Sequence, residues 1–169
     1  MILKVVDKTY TKTDIVRRTR FLREYMEKTF FTPEEHEMTK FLISRQATTE
    51  DIDSFLSWGE EFFKTFTREN TYKIVSAIND FAKHMPQVVL YIPYEPVPAE
   101  TVKLGKWFRK SVHREILMDL HTDPTLLGGC AFVWRGIYRD YSLRYYMLKK
   151  REEIHKLISE YVAKFYKPM

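Results

Sequence analysis

The hydrophobic period of this 169-residue chain changes once, at Pro86, and that change limits the folds open to it. Before Pro86 apolar residues recur as they do on a helix. Ile52, Phe55, Leu56, Gly59, Phe62, Phe63 and Phe66 fall at steps 0, 3, 4, 7, 10, 11 and 14, which is one face of a 3.6-residue helix. Ile74, Val75, Ile78, Phe81, Ala82 and Met85 repeat the spacing until Pro86 closes it, since the residue before a proline is pushed out of the helical region. After Pro86 the period is lost. Gln87–Ile92 is a short β-branched, apolar run held between Pro86 and Pro93, the pattern of a buried strand. A chain patterned in this way is α+β, with an N-terminal helical bundle over residues 1–86 and a small β-α-β-β-α domain over residues 87–169.

Start signals divide the first half. Ile15, Leu22, Met26 and Phe30 lie on one face of an expected helix over 14–30, with Arg17, Arg18, Arg20 and Arg23 making it the most polar. Thr32-Pro33-Glu34-Glu35 and Thr48-Thr49-Glu50-Asp51 read as helix openings, each with a threonine N-cap and a carboxylate reaching back. In the second half a helix starts near Pro98 and carries Val102, Leu104, Trp107 and Phe108, with Trp107 and Phe108 on its sheet-facing stripe. Glu115–His121 is the second expected strand. A helix between two strands makes them parallel neighbours with a right-handed crossover. Cys130–Ile137 is expected as a third strand, hairpin-paired to the second, before a long final helix from Ser142.

Composition removes several classes. The chain is 44% hydrophobic and 30% charged, with 12 Phe, 11 Tyr and 3 Trp, enough to build cores and too apolar for disorder. No apolar run approaches the ~20 residues of a membrane span, and charges interrupt the first residues where a signal peptide would be apolar. Cys130 is the one cysteine, so neither an intrachain disulfide nor a cysteine zinc cluster can form. The expectation is a soluble, non-secreted protein. His36, His84, His113, His121 and His155 show no metal-ligand spacing, and Gly105-Lys106 is followed by Trp107 where a phosphate loop needs Ser or Thr. No catalytic residue, metal or cofactor is expected. The net charge of +5 lies entirely in residues 87–169, which fits an anionic or acidic partner for that half.

The informative stretch is Asp123-Pro124-Thr125-Leu126-Leu127-Gly128-Gly129, then a strand, then Asp140-Tyr141-Ser142-Leu143. Each residue has a structural use: Asp123 and Pro124 start a turn, Gly128 and Gly129 let the backbone reverse, and Asp140 and Ser142 offer N-cap oxygens. Together the two motifs resemble the C-terminal signature of the delta subunit of F-type ATP synthases, the oligomycin-sensitivity-conferring protein family. The resemblance covers residues 87–150 and includes the order of strand, proline-bounded turn, helix and strand before it. It implies a non-catalytic stator subunit, peripheral on the cytoplasmic side of an energy-transducing membrane or in an organelle matrix, without inserting into it. The N-terminal bundle would receive alpha-subunit N-termini of the catalytic head, and the C-terminal domain would grip the b-subunit stalk. The helical half departs from the family by being shorter, with four expected helices.

Leu143, Tyr146, Met147, Ile154, Leu157, Ile158, Tyr161, Val162 and Phe165 form one stripe on the final helix, interrupted where Lys150 takes step 7. About 25 residues of helix run ~37 Å, longer than strands of six to eight residues at ~20–27 Å, so the sheet is expected to cover only the first half. The resemblance assigns the rest, with Lys149, Lys150 and Arg151 steering, to a stalk helix. Two alternatives stand beside it. One is an RNA-binding module built on Trp107, Phe108, Arg109, Lys110 and Arg114, without a Gly-x-x-Gly clamp or an aromatic RNA-recognition strand. The other is a free-standing delta-like protein with a different helical partner.

Overall fold

A computed structural model describes residues 2–32 and 37–165. The fold is α+β: six helices precede the first strand, and a four-stranded sheet, one further helix and a C-terminal helix pair follow among the described residues. Contacts divide the chain into two compact units, one made of residues up to Val88 together with Pro96–Asp119, the other of Val89–Glu95 with the residues from Leu120 on. This division differs from the expected boundary at residue 86, because the helix that follows the first strand groups with the N-terminal helices.

In the first unit α1 (Ile2–Asp7) leads into α2 (Lys12–Phe31), whose Thr11 N-cap oxygen accepts the Asp14 N–H at 3.0 Å. Thr32 closes α2, its N–H donating to the Lys28 carbonyl, while Pro33, Glu34 and Glu35 of the expected opening lie outside the described residues. The next helix, α3 (Met38–Ser44), starts after Glu37. α4 (Thr49–Trp58) opens with the expected reciprocal cap between Thr48 and Asp51. The stripe from Ile52 to Phe66 is not one helix. Gly59 sits at φ 75°, ψ 159°, which breaks the helical ladder between α4 and α5 (Glu60–Lys64) and which only glycine adopts at little cost. The break sets Phe55, Trp58 and Phe62 against one another, with ring centroids 4.2 and 5.1 Å apart along the series. These rings, with Phe21 and Leu22 of α2 and Ile78 of α6 (Thr71–His84), form the buried core.

α7 (Pro98–Ser111) belongs to this unit through two contacts. Arg109 donates to the carbonyls of Val6, Asp7 and Thr9 and lies over the Tyr10 ring at 4.6 Å. Gly105 faces the same ring, where a Cβ would overlap Tyr10 Cβ, Cγ and Cδ1. Phe108 is buried as expected, but Trp107 points outward and is 57% exposed.

The sheet order is β2-β1-β3-β4, with β1 at Gln87–Ile92, β2 at Leu117–Thr122, β3 at Ala131–Trp134 and β4 at Ile137–Asp140. The Leu117 N–H donates to the Pro86 carbonyl and the Asp123 N–H to the Ile92 carbonyl. Partner numbers rise together, so β1 and β2 run parallel, as expected across a helical connection. The third strand differs from expectation in two ways. It pairs beside β1, not β2, and it is itself a hairpin: β3 and β4 are antiparallel with Trp134 opposite Ile137. Arg135 at φ 50° and Gly136 at φ 77° make the turn, the left-handed pair that matches strand twist in two-residue hairpins.

The final helix is also divided, into α8 (Leu143–Lys149) and α9 (Arg151–Phe165). Lys150, at φ −103° and ψ 19°, marks the break, although Lys150 N–H still reaches Tyr146 O and Ile154 N–H reaches Lys150 O. The expectation that the sheet covers the first half of the stripe fails. Neither α8 nor α9 buries a residue, and Leu143, Tyr146 and Met147 are about as open as the residues beyond the break.

Candidate functional site

The two motif segments, separated in sequence by the β3–β4 hairpin, meet in space within the second unit. Asp123 accepts hydrogen bonds from the Thr125 N–H at 3.0 Å and hydroxyl at 2.6 Å, and the Thr125 bonds hold its carboxyl below the usual carboxylate range. Pro124–Leu126 is a single 3-10 turn that buries Leu126, and Leu127 follows in the left-handed region at φ 64°. The chain then crosses the start of α8. The Gly128 carbonyl accepts the Leu143 N–H at 2.9 Å, and the Cys130 carbonyl accepts the Tyr141 N–H at 2.9 Å. Gly129, at φ 72°, lies against the Tyr141 carbonyl so closely that a Cβ would overlap its oxygen.

The second motif completes the junction. Asp140 accepts the Ser142 N–H at 2.8 Å, and its hydrogen bonding to Ser142 holds its carboxyl below the usual carboxylate range. Ser142 is fully buried and its Oγ accepts the Tyr145 N–H at 3.1 Å as the N-cap of α8. Arg144 Nη1 donates to Thr125 Oγ1 at 2.9 Å, tying the two segments from outside. Asp123, Pro124, Leu126, Gly128, Gly129, Asp140 and Ser142 are thus parts of one structural joint that fixes where α8 leaves the sheet. Leu143 donates its N–H to that joint while its side chain stays 49% exposed.

The residues expected to bind a partner lie beyond the joint. Leu157, Ile158, Tyr161, Val162 and Phe165 are between 46% and 63% exposed, and Ile154 is partly buried. Tyr161 and Phe165 pair at 4.6 Å, one turn apart. Lys149 lies over the Tyr145 ring at 5.9 Å, Lys150 bridges to Glu153 at 3.1 Å, and Arg151 opens α9. The three basic residues therefore sit at the break and not along the stripe.

The five residues weighed for RNA binding are divided between interior and surface. Phe108 is buried and Arg109 is spent on the α1 carbonyls, which leaves Trp107, Lys110 and Arg114 on the surface.

One charged cluster escaped sequence reasoning. Asp51 is fully buried and receives Arg17 Nε at 2.8 Å, Arg17 Nη2 at 3.0 Å and Arg18 Nε at 2.8 Å, joining α2 to α4. Burial opposes its charge, but the two guanidinium groups outweigh that and hold Asp51 below the usual carboxylate range. The polar arginines of α2 were the available signal. Their partner is 34 residues from Arg17 and 33 from Arg18, which no local pattern reveals.

Among the described residues no group of three or more His, Cys, Asp or Glu is placed to hold a metal ion, and no helix is long and apolar enough to cross a membrane. Burial and the nearby Asp140 carboxylate push the Cys130 thiol above its ordinary value, which makes it a poor nucleophile. No protein-family model matches the chain, and no curated protein matches it.

Proposed function

We propose that this chain is a stator subunit of the delta type: a non-catalytic link between the catalytic head of an F-type ATP synthase and its b-subunit stalk, peripheral to an energy-transducing membrane. The observation that carries the reading is the apolar stripe of α9, which runs from Ile154 to Phe165 with no residue buried. Contiguous exposed apolar area of this kind marks interaction surfaces, and apolar residues three and four apart fit a partner helix laid alongside. The joint at Gly128, Gly129, Asp140 and Ser142 supports the same reading, because it fixes the helix pair that would carry the stalk. On the helical side, a groove of about 290 Å³ lined by Ile15, Val16, Ala82 and Leu117, with Lys12 and Lys83 among its lining residues, suits an amphipathic segment of the head.

The test is truncation after Glu153. Because α9 buries nothing, the shortened protein keeps the unfolding midpoint of the full chain and loses affinity for a helical peptide from a b-type stalk subunit. Unchanged peptide binding after truncation, or no binding by the full chain, refutes the assignment. Purification of the native complex with ATP synthase subunits separates this reading from a free-standing delta-like protein.

A further inference from the structure

We propose that the outer face of α7 docks on a bilayer surface rich in anionic headgroups, with Trp107 at headgroup depth and Lys103, Lys110 and Arg114 around it. The face follows from helical spacing: Lys103, Trp107 and Lys110 stand at i, i+4 and i+7, and Arg114 lies in the turn that follows the helix. All four are exposed, and none has an ion-pair partner among the described residues. The one carboxylate of α7, Glu100, is engaged as a cap on the Val97 N–H at 3.2 Å. Lys106 is left out, since it lines a cleft with Glu50 and Asp53 and does not share the face of Trp107.

Trp107 decides the class of partner. It is 57% exposed, whereas Trp58 is buried and Trp134 partly so. Its ring is braced edge-on by the buried Phe108 with centroids 5.0 Å apart, so it stands out from the helix. An indole flanked by lysines matches the headgroup layer, where the amphipathic ring is favoured and each cation is attracted by anionic lipid. Binding of a single-stranded nucleic acid draws instead on a groove and successive stacking rings. Here the face is the convex side of one helix, and the next aromatic residue is buried. The face shares no residue with the α9 stripe, so this inference stands apart from the stator reading.

The experiment uses the full chain with vesicles of one part phosphatidylglycerol to two parts phosphatidylcholine, compared with phosphatidylcholine alone. Sedimentation with the anionic vesicles only, weakening as salt rises, is expected. Brominated lipid should quench the wild type more than W107F, the difference being the contribution of Trp107. Each cation near an anionic surface is worth about fivefold in affinity, so the Lys103→Gln, Lys110→Gln double variant should lose on the order of 25-fold. Vesicle binding unchanged in that variant, with Trp107 unquenched, would assign the contact to another surface and overturn the proposal. Binding to a single-stranded oligonucleotide but not to vesicles overturns it in favour of nucleic acid. Binding to neither also overturns it.

Discussion

Replacing Gly129 by alanine should disrupt the joint beneath α8, while the same change at its neighbour Gly128 should pass almost unnoticed. The two glycines look equivalent in sequence, and the structure separates them. Gly129 holds φ 72°, and a Cβ there would overlap the Tyr141 carbonyl oxygen, with Tyr141 C at 3.2 Å and Ser142 Cα at 3.3 Å. All three atoms are backbone and cannot swing aside. A left-handed conformation costs a non-glycine residue about 1–2 kcal/mol, and forcing an atom into packed structure adds about 1–3 kcal/mol. The sum is on the order of 2–5 kcal/mol. At Gly128 no left-handed backbone is required, and a Cβ would meet Leu143 Cβ at 3.6 Å, an ordinary contact. That variant should fall within about 0.5 kcal/mol of wild type. Urea unfolding of the full chain reads the cost. Hydrogen exchange at the Leu143 amide, which donates to Gly128 at 2.9 Å, reports whether the joint has opened. Equal stability and equal exchange in the two variants would refute the reasoning.

Asp51→Asn should destabilise the first unit by about 3 kcal/mol, because the buried Arg18 guanidinium loses its carboxylate partner and the partly exposed Arg17 keeps only Asp14; thermal unfolding of the full chain measures it. The pH dependence has a definite sign. Asp51 is depressed in the folded protein, so its contribution is complete above the unfolded carboxylate value of about 4 and is lost as pH falls through the lower folded value. The Asn variant should lack that part of the acid-side loss, and an identical acid profile would count against the buried pairing. Gly105→Ala should cost about 1–3 kcal/mol by overpacking, since Tyr10 lies between the glycine and Arg109 and is itself buried. A neutral result in urea unfolding would show that Tyr10 can yield.

The period change at Pro86 was enough to place helices before strands, and the caps at Thr48 and Ser142 fall where their residue types put them. Breaks inside elements were harder to see. Gly59 occupies a helical step in an apolar stripe, and spacing alone does not distinguish a glycine in a helix from one that ends it. Arg135-Gly136 lies within an apolar run, yet a glycine in a two-residue connection between Ala131–Trp134 and Ile137–Asp140 is the available hairpin signal. The position of β3 beside β1 is a property of the assembled sheet, and no local pattern encodes strand order. The place of α7 was written in Gly105 and Arg109. A glycine inside a helix is costly unless something packs closely on it, and what packs on Gly105, beneath Arg109, is Tyr10, almost a hundred residues earlier in sequence.

The candidate site was legible for the same physical reason that it is structural. Turn formers and N-cap residues act locally, so Asp123, Pro124, Asp140 and Ser142 can be read singly, but their meeting through Gly128, Gly129 and Leu143 depends on the hairpin between them. Beyond the joint the chain presents two surfaces of different chemistry. On α9 three acids, Glu152, Glu153 and Glu160, balance Arg151, Lys156 and Lys164, so attraction along the stripe comes from apolar burial and should change little with ionic strength. Around Trp107 the cations Lys103, Lys110 and Arg114 are exposed while Glu100 is held as a cap, so attraction to an anionic surface should fall steeply as salt rises. Contacts made through the two faces are therefore separable by salt alone: an interaction of this protein that survives high ionic strength belongs to the α9 stripe, and one that vanishes belongs to the face around Trp107.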